Sequence, residues 1–294
     1  FANQIIPTIT VEEISAKAKQ WIKSANRTIV ITGPSEGSTH LTEKEAKDII
    51  ASVESMEIKP YVDGVSSASL ISKELKGSKI VSTKKLDSFN AVEWTLKNNV
   101  KVIYRFADFE KDEVSLMAFS KGGTSLWDDK YVPSAEMTGD FISSYGVGDF
   151  DAITLQKLMT GKKVSLSPTF DNLTEGFAGS SSPNDFETMM QLTYLYFEQP
   201  RFDKEAFDAL KERYIAYVAN LEKDPRKIMQ DSLTYILYNY HPRARTISTQ
   251  FLQEVSFDDI QKIYKDRITD AGDFTFFIVG NIDEETVKSN VEKY

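Results

Sequence analysis

The sequence predicts an α+β fold, an antiparallel sheet covered by a layer of helices. Three observations carry it. Short runs alternate apolar and polar residues and are joined by tight-turn residues. A block of capped amphipathic helices begins at residue 182. A helix–strand unit near the start recurs near the end. With 294 residues, 41% of them apolar and 27% charged, the chain can bury a sizeable core.

Along the chain, Thr10 with Glu13 gives a capping box for a helix whose apolar face is Ile14, Ala18, Trp21 and Ile22. Residues 27–33 read as a strand ending at Gly33. A second capped helix starts from Thr42 and Glu45, with Ala46, Ile49, Ile50 and Val53 inward. Pro60, Gly64, the serines of 66–69 and Gly77 suggest a linker with at most short elements. The expected organisation is therefore 1–62, the end of a preceding α+β domain; 63–90, a linker; and 91–294, a second α+β domain. Residues 91–97 and 101–107 form a hairpin about Asn98-Asn99, and 113–120 adds a third antiparallel strand.

The stretch after that strand draws the most attention. Gly122-Gly123 breaks it, and Pro133-Ser134-Ala135 opens a helix that Gly146 stops. Glu136 and Asp140 share one face of this helix, with Gly139 between them. A short helix over 149–159 follows, then a hairpin of 162–170 and 175–180. Three helices begin at Ser182-Pro183, Asp203 and Asp224.

The end repeats the beginning. Ser256-Phe257-Asp258-Asp259-Ile260 through Gly280 matches Thr10-Val11-Glu12-Glu13-Ile14 through Gly33, offset by about 246 residues, as expected for a duplicated unit. The chain starts at Phe1 and ends at Tyr294 within a helical pattern, so it is expected to be a piece of a longer protein.

Composition narrows function. Forty-four acids against 35 bases argue against a nucleic-acid partner, and no apolar run approaches a membrane span. Without cysteine there are no disulfides, thiolate metal sites or cysteine nucleophiles. The two histidines, His40 and His241, are far apart in sequence, which disfavours a histidine metal site.

Taken in order, the residues resemble a known family. The alternating strand is followed by Gly122-Gly123-Thr124-Ser125-Leu126, a helix ending Tyr145-Gly146-Val147-Gly148, and a hairpin. Long helices, the Tyr240-His241-Pro242-Arg243 turn, a capped helix and Phe276-Phe277-Ile278-Val279-Gly280-Asn281 complete the order. Over residues 91–294 this set is similar to the pitrilysin/insulinase-type zinc peptidases. The resemblance implies repeated two-layer α+β units, of LuxS/insulinase-like architecture, that close around a substrate chamber. In an active unit, zinc is held by the two histidines of H-x-x-E-H and a glutamate on a later helix, and the motif's own glutamate activates water. Placed residue by residue, Glu136 stands at the first histidine, Gly139 at the general base and Asp140 at the second histidine. Val218, Ala219 and Asn220 stand in the third-ligand region.

The resemblance thus implies an inactive second-half repeat with no catalytic, cofactor-binding or metal-ligating residue of its own. Zinc is expected in the parent's active half. The implied partners are the other half of the same chain and, through the intact parent, a peptide or protein substrate. A periplasmic or extracytoplasmic parent is implied. An Arg/Tyr pair that helps hold substrate in some inactive halves would fall beyond Tyr294. Three functions stay open: a non-catalytic region of a zinc metalloendopeptidase, a catalytically dead scaffold subunit, and a domain binding a hard cation through Glu136 and Asp140. For that carboxylate pair a solvated helix face is the plainer reading, and for the 240–245 run a loop paired to nearby acids. An exposed edge in the hairpins around 162–180 offers a place for a peptide strand.

Overall fold

The computed structural model describes residues 2–21, 23, 25–33, 37, 39–59 and 69–294. It forms two compact units, 1–62 and 63–294. Pro60, Gly64 and most of the serine cluster of the expected linker lie outside the described residues, as does Ile22.

The first unit contains α1 (Ala2–Ile5), α2 (Val11–Trp21) and α3 (Glu43–Ser55). Both expected capping boxes form. The Thr10 amide donates to Glu13 and the Glu13 amide to Thr10 Oγ1, each at 3.2 Å; Thr42 and Glu45 exchange the same pair. Ala46 is the one fully buried residue of this unit among those described. Residues 27–33, expected as a strand, make no ladder. An extended apolar run becomes a strand only where another strand accepts its backbone groups.

The second unit is a seven-stranded sheet with helices. Its strands are β1 (Ile80–Leu86), β2 (Ala91–Leu96), β3 (Lys101–Phe106), β4 (Val114–Lys121), β5 (Val164–Phe170), β6 (Thr174–Ser181) and β7 (Thr275–Gly280), in the order β1-β2-β3-β7-β4-β6-β5. Its helices are α4 (Val132–Ser143), α5 (Ala152–Leu158), α6 (Phe186–Glu198), α7 (Lys204–Leu221), α8 (Pro225–Leu237), α9 (Thr249–Glu254), α10 (Phe257–Arg267) and α11 (Glu284–Lys293). Asp151, Asp203, Asp224, Ser248, Ser256 and Asp283 each cap a helix through the side chain.

Two further expectations are corrected. β4 does not lie beside β3, because β7 inserts between them, parallel to β3 and antiparallel to β4. The sheet is therefore antiparallel except for that one pair. β7 suits a central slot because it is apolar on both faces: Phe276 and Ile278 are buried, and Phe277 and Val279 occupy the other face. The stretch expected as linker ends in a strand, β1, paired antiparallel to β2; its residues 81–85 are exposed on both faces, so no apolar alternation marked it. α9 was not foreseen, being only six residues long.

The core lies between the sheet and its helices. Trp94, Val102, Val114, Leu116, Phe177, Phe276 and Ile278 meet Phe141, Met189, Leu195, Phe207, Ile260, Tyr264 and Val287. β4 shows the clean alternation read from its sequence, with Val114, Leu116, Ala118 and Ser120 buried and the residues between them exposed. Met189, Met190 and Tyr196 are core.

Candidate functional site

The segment from Gly122 to Tyr145 packs across the β5–β6 end of the sheet. β4 ends at Lys121, and the turn takes Gly122 to φ 149° and Gly123 to φ 61°, a region that suits glycine. The turn is pinned. The Gly123 amide donates to Glu175 Oε2, and the Thr124 and Ser125 amides donate to the Asp171 and Asn172 carbonyls at 2.9 and 3.0 Å. Glu175 is buried at 1% exposure and faces Arg267 of α10, whose Nη2 and Nε stand 2.6 and 3.1 Å from Oε1. Sequence reading missed this pair. The signal was present: Glu175 shares the inward phase of β6 with the fully buried Phe177.

α4 lies against β5 and α10. Val132, Pro133, Ser134, Ala135, Met137, Thr138, Phe141 and Ile142 are buried. Ser134 Oγ accepts from the Ser256 amide at 3.0 Å, tying α4 to the cap of α10. Phe141 packs on Phe207 and Tyr214 of α7, at ring-centroid distances of 4.8 and 6.2 Å. α4 is the helix on which the resemblance places the motif positions.

Its chemistry differs. Glu136 is half-buried; burial holds its carboxyl above the usual range, while Arg245 and then Arg243 pull the other way. Asp140 is exposed and lies by the Tyr214 hydroxyl, which burial first and Asp140 second push up. At Gly139 a Cβ would stand 2.9 Å from the Pro168 carbonyl oxygen of β5. The helix backbone approaches the sheet edge so closely that a side chain at 139 has no room without displacing backbone. On α7, Val218 is buried, Ala219 half-buried and Asn220 exposed, its side chain donating to the Ala216 carbonyl at 3.2 Å. Two carboxylates of unlike exposure with a glycine between them and a buried valine at 218 do not supply the ligands of a tetrahedral zinc site. Among the described residues, no group of three or more histidine, cysteine, aspartate or glutamate side chains could hold a metal ion.

The cations of the 240–245 run are paired to acids. Arg243 Nε lies 2.8 Å from Asp129 Oδ1, and its other nitrogens donate to the Thr124 and Trp127 carbonyls. Arg245 grips Glu254 with two hydrogen bonds of 2.6 and 2.8 Å, and these bonds, with its charge behind them, hold the Glu254 carboxyl below its usual range. His241 Nδ1 accepts from the Arg243 amide at 3.2 Å. Asp128, beside Trp127, is exposed.

Of the expected hairpin, β5 is the sheet edge and β6 is internal. Lys163 and Asp171 direct backbone bonds to β6, so Val164, Leu166, Pro168 and Phe170 direct theirs outward. Pro168 removes one donor from the middle of that edge. No helix of the described residues is long and apolar enough to cross a membrane.

No family model matches the chain. It is 24% identical over 211 residues to a probable zinc protease PqqL of Haemophilus influenzae, covering 71% of this chain and 22% of that protein. In structure it is similar to the periplasmic protease PqqL of Escherichia coli, with a TM-score of 0.67 at 18% identity, over 98% of this chain and 32% of that one. It is also similar to a peptidase M16 inactive domain from Pseudomonas fluorescens, with a TM-score of 0.55 at 17% identity, over 69% of this chain and 49% of that one. The chain spans between 22% and 27% of the length of the curated relatives it matches. The resemblance to the pitrilysin/insulinase-type zinc peptidases, read from the residues, holds in both comparisons, and the fold is that of the M16 structures.

Proposed function

We propose that these residues form a non-catalytic region of a zinc metalloendopeptidase, with 91–294 an inactive repeat that supplies part of the wall of a substrate chamber. The carrying observation is Gly139 seated on the Pro168 carbonyl. α4 stands, on this reading, where an active unit carries its motif, and a side chain at Gly139 would meet that carbonyl at 2.9 Å. On this reading residues 1–62 are the end of the preceding α+β domain, and zinc, peptide hydrolysis and water activation belong to the parent's other half. The β5 edge on the 164–166 side of the Pro168 carbonyl that α4 meets offers backbone groups to a peptide or protein substrate in extended form. An extracytoplasmic parent is supported by the likeness to a periplasmic protease.

A second reading, a catalytically dead scaffold subunit, is favoured by α8. None of its residues is buried, and Met229, Leu233, Ile236 and Leu237 are 59%, 45%, 61% and 78% exposed, an apolar helix face fit for another protein. The natural full-length chain separates the two. The first reading expects peptidase activity that is lost when the glutamate of an H-x-x-E-H elsewhere in that chain becomes glutamine, and that stays within roughly twofold in Glu136→Gln or Asp140→Asn. A full-length chain without H-x-x-E-H favours the scaffold. Loss of activity in Glu136→Gln defeats the inactive-repeat assignment. Substrate KM unchanged by substitutions along β5 defeats the edge contact.

A further inference from the structure

A cavity of about 580 Å³ lies in the second unit, with β2, β3 and β7 on one wall and α6 and α11 on the other. Neither α4 nor β5 contributes to it. Its walls are buried hydrocarbon. Val102, Met190, Phe276, Ile278 and Val291 are 6% exposed or less, and half-buried Phe197 joins them. These side chains are withdrawn from solvent yet border a space within the range of about 300–1,000 Å³ that small-molecule sites occupy. In a close-packed interior such a space costs its lining the contacts that a filling group restores.

A short strap, residues 75–78, closes another side. Gly77 takes φ 61°, and a Cβ there would collide with the Glu292 carbonyl oxygen of α11. The Ser78 amide donates to that carbonyl at 2.8 Å, the Ile80 amide donates to Glu292 Oε1 at 3.0 Å, and Lys79 Nζ lies 2.8 Å from Oε2. Backbone and side chain of Glu292 together hold the strap, so this wall is part of the fold.

The exposed mouth differs in charge from the molecule as a whole. The lining carries three lysines, Lys76, Lys97 and Lys293, against one acid, Glu198, in a chain of formal net charge −9. Lys293 is paired with Glu187 at 2.6 Å. Lys76 and Lys97 are exposed and make no ion pair among the described residues. Tyr194 adds a phenol, which burial first and Glu198 second hold in the protonated, donating form.

We propose that this cavity binds an amphipathic monocarboxylate, a free acid with an elongated apolar body. The hydrocarbon lies between the sheet and the α6–α11 wall, and the carboxylate meets Lys76 and Lys97 at the mouth. A cationic head would be repelled there and a neutral one would leave both lysines unused, so the charge of the ligand is part of the assignment. The site goes beyond the peptidase reading and shares no residue with α4 or the β5 edge.

Isothermal titration calorimetry on the natural full-length chain and on residues 1–294 tests it, with decanoate, 1-decanol and decyltrimethylammonium as probes, each below the concentration at which it self-associates. Decanoate should bind one per chain with a Kd of about 10 μM or tighter. 1-Decanol and decyltrimethylammonium should bind at least ~10-fold more weakly. Val102→Phe, which fills the cavity from β3, should weaken decanoate binding at least ~10-fold, and Val291→Phe should do the same from α11 if the first variant does not fold. Lys76→Glu combined with Lys97→Glu, both on the surface, should weaken decanoate ~10-fold and leave 1-decanol within about twofold. The absence of saturable binding overturns the inference, as does decanoate binding that the phenylalanine variants leave unchanged. Equal affinities for the three head groups overturn it too. Binding by 1–294 that the full-length chain lacks would mean that another segment of the parent covers the mouth, and would likewise overturn it.

Discussion

Arg267 holds Glu175: Nη2 and Nε of the guanidinium both point at one carboxylate oxygen, at 2.6 and 3.1 Å, while the other oxygen takes the Gly123 amide. A fully buried acid in β6 thereby joins the end of α10 to the turn that delivers α4. Removing the cation strands a charge without water. Arg267→Ala should cost about 3 kcal/mol of unfolding free energy, whereas Arg267→Met with Glu175→Leu should recover much of it. Urea titrations check this; a loss below about 1 kcal/mol in Arg267→Ala would show the pair to be incidental.

Gly139 sits in the interior of α4, where alanine ordinarily gains about 1 kcal/mol over glycine through helix propensity. The Pro168 carbonyl opposes that gain, because an added Cβ meets backbone at 2.9 Å. Gly139→Ala should therefore lower stability, by about 1–2 kcal/mol as for an overpacked core site. A more stable variant would mean that the helix and β5 are not in firm contact, and would count against the inactive-repeat assignment.

Glu136 sets a pH dependence of definite sign. Its carboxyl is raised in the folded state, so from about pH 4.5 upward the folded chain binds more protons at this site than the unfolded chain. Its contribution is fully present below that pH and is lost as pH rises through the raised folded value. The difference in unfolding free energy between Glu136→Gln and the unaltered chain should accordingly grow in favour of the variant between pH 4.5 and pH 7. Parallel curves for the two proteins would contradict the burial argument.

Zinc offers a direct measurement. With Gly139 closed to a side chain and Val218 buried as a hydrocarbon, the purified chain should retain under ~0.1 zinc per molecule after dialysis and show no peptidase activity on a quenched peptide substrate. One tightly held zinc per chain by elemental analysis would sink the non-catalytic reading. Calcium or magnesium bound between Glu136 and Asp140 would support a carboxylate cation site instead.

Much of the fold was legible along the chain because it depends on local chemistry. Capping pairs such as Thr42–Glu45, the proline after Ser182, Asn99 at φ 68° in the β2–β3 turn and the alternation of β4 each act within a few residues. The absence of imidazole and thiolate at the α4 and α7 positions was equally plain, since it is a matter of residue type.

Tertiary structure decided the rest. No local pattern tells a strand which neighbours it will have, so β7 could be recognised as apolar on both faces but not placed between β3 and β4. The same holds for Glu175 and Arg267, and for Gly139 and Pro168, pairs of residues distant in sequence whose meaning lies in the approach of one backbone to another. Residues 27–33 mark the boundary from the other side. The sequence supplied a strand's composition, but a strand is a relation between two backbones, and without an accepting neighbour the hydrogen bonds that define it do not form.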